Sequence, residues 1–105
     1  REAHAFRLVD RVAVKGRVEP LGLYELLDAD PPAVRAAKLA TRGTLEAGMV
    51  RYAARDFDGA LQAFLSAASE DPDDLVPRLF IERCERLRRE PPPPEWCGVE
   101  RLTRK

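Results

Sequence analysis

The sequence predicts an α+β chain: a β-hairpin at the N-terminal end, antiparallel helices after it, and a proline-rich terminus that carries the single tryptophan. Three observations predict it. Residues 6–14 are rich in apolar and β-branched types and run into Lys15-Gly16-Arg17, a glycine-bearing turn. From Ala33 onward, alanine-rich sequence gives way to apolar residues recurring at helical spacing. Pro91 to Pro94 then forbid further helix, with Trp96 close behind.

Each element can be justified in order. Pro20 has no amide hydrogen for a ladder, so it marks the start of a second strand over 21–27. A lone hairpin is marginal in water, so this one calls for a larger sheet. Asp28-Ala29-Asp30-Pro31-Pro32 breaks the strand and starts a helix, with Asp as cap and Pro in the first turn. Helix is expected over 33–40 and again over 44–54, either interrupted at Thr41-Arg42-Gly43 or continuous with Gly43 tolerated inside it. The next helix, 57–70, places Phe57, Ala60, Leu61, Phe64 and Ala68 on one stripe. Asp71-Pro72-Asp73-Asp74 stops it and caps a last helix over 75–89, whose apolar face is Val76, Leu79, Phe80, Cys84 and Leu87. The four prolines read as a stiff tether that lays Trp96 back onto the body, with Val99 and Leu102 adding apolar contact.

Composition narrows the function classes. The 105 residues carry 18 basic and 18 acidic side chains, so net charge gives no pull toward nucleic acid or an anionic membrane. No apolar run approaches the roughly 20 residues that span a bilayer, and no signal-peptide pattern is present. A soluble, cytosolic piece is expected. Opening on Arg1 in strand-like sequence, it reads as the C-terminal part of a longer protein, with any membrane anchor upstream. Cys84 on a helix face and Cys97 in the tail have only His4 as another soft ligand. That pattern offers no zinc site and no disulfide framework, only reduced thiols. His4 reads as a solvent-facing strand residue without a recognisable partner. The Arg78, Arg83, Arg86, Arg88, Arg89 cluster, interleaved with Glu82, Glu85 and Glu90, reads as a solvated helix face with local ion pairs.

Two resemblances follow from these residues. Gly48, Phe57, Ala60, Phe64, Ala67 and Pro72 are spaced as in a tetratricopeptide repeat, except that Arg51 stands where an aromatic is usual, with Tyr52 beside it. Such repeats rely on neighbours for stability, so one unit would lean on something else. Beyond this, three ordered blocks resemble the C-terminal end of a bacterial group of class III adenylate/guanylate cyclases. They are Leu8-Val9-Asp10-Arg11-Val12-Ala13-Val14-Lys15-Gly16-Arg17-Val18-Glu19-Pro20 with Tyr24-Glu25; Tyr52-Ala53-Ala54-Arg55-Asp56-Phe57 with Asp71-Pro72-Asp73-Asp74 and Ile81-Glu82-Arg83-Cys84; and Pro92-Pro93-Pro94-Glu95-Trp96-Cys97-Gly98-Val99 with Leu102-Thr103-Arg104-Lys105. The last block usually reads Asp-Trp-Asp-Gly, so Cys97 departs from the pattern.

The resemblance implies an organisation: residues 1–27 the end of the cyclase catalytic domain, 28–43 a linker and helix, 44–90 a tetratricopeptide-like helical extension, and 91–105 the tether and tryptophan tail. It implies conversion of ATP to cyclic AMP and pyrophosphate, assisted by magnesium or manganese ions on aspartates that lie upstream. It implies a homodimer and makes Lys15 the contact to the nucleotide polyphosphate. No catalytic residue and no metal ligand falls within this chain; Asp10 is not one of the family's metal aspartates. The chain alone is therefore expected to be inactive. The alternative reading is a non-catalytic tetratricopeptide-like module that binds a protein partner. Guanylate cyclase chemistry also stays open, since the residues that choose the base are absent.

Overall fold

The computed structural model describes residues 4–16 and 18–102, and the side chains of the last three are left aside. Arg1, the Arg17 corner of the expected turn, the terminal Thr103-Arg104-Lys105 and the apolar contact expected of Leu102 lie outside what is described. An antiparallel hairpin pairs β1 (Phe6–Val14) with β2 (Leu21–Leu26). Three helices follow: α1 (Pro32–Ala53), α2 (Phe57–Glu70) and α3 (Leu75–Arg89). The chain is thus α+β in the order the sequence implies. One element goes beyond what the sequence implies. The tail ends in a short strand, β3 (Glu100–Leu102), which returns to pair in parallel with β1, giving the sheet order β2-β1-β3.

The hairpin register runs from Phe6 opposite Leu26 to Val12 opposite Leu21, and it shifts between Leu8 and Asp10. That irregularity inserts one extra residue and keeps Arg7, Asp10 and Val12 directed at the helices, where each finds a partner or is buried. The second strand ends at Leu26, one residue short of expectation. Leu27 is fully buried, and its amide bonds Ala5 O at 2.8 Å.

Helix α1 is a single helix through Gly43, which is exposed, so its added backbone entropy of about 1 kcal/mol is tolerated. Its start differs from expectation. Pro31 occupies the cap, Pro32 the first turn, and no side chain caps the helix. The aspartates placed there work elsewhere: Asp28 accepts from His4 Nδ1 at 2.6 Å and from the Ala5 amide, while Asp30 binds Lys38 at 3.0 Å. His4 accordingly precedes β1 and does have a partner, reached across the open end of the hairpin. The cap of α3 follows the sequence, with Asp74 accepting from the Val76 amide; α2 is capped by Asp56, which accepts from the Gly59 amide.

The core lies among the helices. Leu45, Met49 and Tyr52 from α1 meet Ala60, Leu61 and Phe64 from α2 and Phe80, Cys84 and Leu87 from α3. Phe64 stacks on Phe80 at 4.8 Å, and Tyr52 meets Phe80 edge-on at 5.2 Å. Gly48 permits this approach: a Cβ there would sit 2.7 Å from the Phe64 ring. Burial pushes the Cys84 thiol up to about 11, so it stays protonated at neutral pH, whereas Cys97 is exposed.

Candidate functional site

The candidate site is the hairpin tip. Strand β1 delivers Val14 to a turn in which Gly16 has φ +89°, a left-handed conformation that glycine adopts without steric cost. Lys15, immediately before it, is exposed and forms no ion pair with another described residue. Lys15 thus lies in the turn at the hairpin tip, and it is exposed.

Behind the tip, a set of ion pairs ties the hairpin to the helices. Arg7, with a side chain 1% exposed, donates to both oxygens of Asp74 at 2.6 and 2.9 Å and to Glu25 at 2.8 Å. Lys38 from α1 also reaches Glu25, at 2.6 Å. Burial alone would push Asp74 upward. The hydrogen bonds from Arg7 and the Val76 amide, with the Arg7 charge, outweigh it and hold the carboxyl below the usual range. Glu25 is lowered in the same way: burial opposes, but Lys38 and Arg7 prevail. Nearer the tip, Arg83 of α3 clamps both oxygens of Asp10 at 3.0 and 2.9 Å and lies 4.9 Å over the Phe80 ring. Arg83 is therefore a buried clamp and not part of a solvated face. Its neighbour Arg88 does stay exposed, pairing with Asp58 of α2 at 2.9 Å.

The tail forms the third support. Trp96 meets Tyr52 at 5.2 Å and Phe57 at 5.5 Å, as the sequence suggests. Arg55 approaches its ring at 5.7 Å and donates to Pro92 O at 2.7 Å and Pro93 O at 3.0 Å. Beyond Trp96, Gly98 at φ +88° passes so close to α1 that a Cβ would lie 2.7 Å from Ala53 Cα. The chain then pairs Glu100, Arg101 and Leu102 with Val12, Ala13 and Val14, the last residues before Lys15.

Among the described residues no three His, Cys, Asp or Glu side chains come together to hold a metal ion. Asp10 and Asp74 are both committed to arginines. No helix among the described residues is long and apolar enough to cross a membrane.

Comparison with known proteins adds one finding. Over 78 residues, 74% of this chain, the sequence is 32% identical to the "Adenylate cyclase, terminal-differentiation specific" of Dictyostelium discoideum. The match spans 4% of that much longer protein. No protein-family model matches the chain, and no solved structure does. The similarity supports a cyclase relationship.

Proposed function

We propose that this chain closes the catalytic sheet of a class III adenylate cyclase and adds a tetratricopeptide-like tail that stabilises or regulates it. In this reading the parent enzyme converts ATP to cyclic AMP and pyrophosphate, and Lys15 contacts the polyphosphate. The observation that carries it is the exposed Lys15, without an ion pair among the described residues, on a glycine-shaped turn in a chain similar to an adenylate cyclase. A cation held there by the hairpin would stabilise charge growing on the departing pyrophosphate. Magnesium or manganese, proposed for the parent, finds no fitting residues among those described here. This chain's own contribution is the lysine and its support.

The hairpin also offers a place for the rest of such a sheet. β2 is an edge strand, and Leu21, Leu23, Tyr24 and Leu26 along it are exposed, a combination that a folded chain normally covers. A homodimer of the parent, with ATP bound by the completed domain, belongs to the same proposal. The test is Lys15→Ala in the longer protein. Cyclic AMP formation should fall by roughly 10²-fold, the scale of losing one charge-stabilising donor, with circular dichroism unchanged. An unaltered rate would remove Lys15 from the site. The 105-residue chain by itself should form no cyclic AMP.

A further inference from the structure

Arg55 is the one non-glycine residue with positive φ among those described, at 68°. It follows α1, and the bonds around it explain the geometry. The Arg55 amide donates to Tyr52 O at 3.0 Å and the Asp56 amide to Arg51 O at 2.9 Å, the double closure that ends helices at a left-handed residue. Glycine is the residue that fits such a position without strain. An arginine there carries a conformational cost that its backbone role does not require, so the side chain must account for it. That side chain spans the tail: it bonds the carbonyls of Pro92 and Pro93 and covers Trp96. Trp96 in turn seats on Tyr52 and Phe57 at the same helix junction. Two coupled fasteners therefore hold the tail just before Gly98, where it passes over Ala53 and turns toward β1.

We infer that Arg55 and Trp96 are positioning residues: they fasten segment 91–102 as a strap whose strand β3 holds the end of β1, and with it the Lys15 turn, in register. Neither side chain need approach a nucleotide. β3 is only three residues long, too short to persist unless its approach is fixed. It pairs with the last three residues of β1, so its loss would free the segment that leads into Lys15. The catalytic half of this inference rests on the proposed phosphate contact of Lys15; the mechanical half does not.

Arg55→Gly tests it cleanly, because glycine suits the left-handed backbone while deleting the guanidinium. In the full-length protein, hydrogen–deuterium exchange over peptides covering 12–16 should quicken roughly tenfold, the scale of one lost charged hydrogen bond, while α2 and α3 keep their protection. The kcat/KM for ATP should fall several-fold. Trp96→Ala should do the same, and Trp96→Phe should restore both. Unchanged exchange at 12–16 in Arg55→Gly overturns the strap. Faster exchange with an unchanged kcat/KM overturns its link to the site. If Lys15→Ala leaves turnover intact, the reading of Lys15 fails and the positioning role falls with it.

Discussion

The helical body and the hairpin are held by different forces. Inside the body, Tyr52, Phe64 and Phe80 interlock with Leu45, Met49 and Leu87 in an apolar core. The hairpin meets that body through directed charge pairs beside apolar contact: Arg7 on Asp74 and Glu25, Asp10 on Arg83, and Lys38 on Glu25, with Val12 buried and Leu8 packed on the core. Apolar burial is non-directional, whereas a bidentate arginine–carboxylate pair fixes angle as well as distance. The body thus supplies cohesion and the ion pairs supply aim. That division suits the proposed role, in which the tip points one way and the outer strand takes a neighbour.

The comparison breaks most completely at Phe64, which is fully buried between Gly48 and Phe80. Phe64→Ala should cost about 3–5 kcal/mol, from lost transfer energy and the cavity left against a residue without a side chain. Urea unfolding should show the whole transition shifted, helices included. A loss below about 1 kcal/mol would mean that the body does not depend on this core.

Asp74→Asn should cost less, about 2–3 kcal/mol, because asparagine still caps α3 while Arg7 keeps only Glu25. The pH dependence has a definite sign. Asp74 and Glu25 are held below their ordinary values when folded, so their contribution is complete above the usual carboxylate range. It is lost as pH falls through the folded values. Acid should therefore loosen the hairpin before the body, and Asp74→Asn should flatten the acid limb of a stability–pH profile. A mutant whose acid slope equals the parent's would show that this pair does not carry the dependence.

The same contrast explains what was legible in the sequence. The α2 stripe of Ala60, Leu61 and Phe64 could be read because helical packing repeats within a few residues, and Gly16 announced the turn beside Lys15. The arginine clamps could not, because Arg7 finds Asp74 at a separation of 67 residues and Arg83 finds Asp10 at 73. A signal for Arg83 did exist: three residues after Phe80 and four before Leu87, it lies on the apolar face and not the charged one. Strand β3 left no such signal. Three residues carry no period, and their pairing depends on a tail fastened by Arg55 and Trp96.

The smallest effect should fall on the outer strand and is the sharpest test of the division. Tyr24 is 64% exposed and Leu26 46%, although both sit in a strand beside β1. If the body supplies cohesion and the hairpin only presents a surface, Tyr24→Ser with Leu26→Ser should shift the stability of this chain by no more than about 0.5 kcal/mol. The same pair in the longer protein should do more harm, since residues that are bare here would there be covered by the neighbouring strand. Parallel urea titrations of the chain and the longer protein measure both. An equal, small shift in the two would leave the open edge uncovered in both and remove the hairpin as a sheet-joining element. A loss above about 2 kcal/mol in the chain itself would make the outer strand part of the core, and the distinction between cohesion and aim would no longer hold.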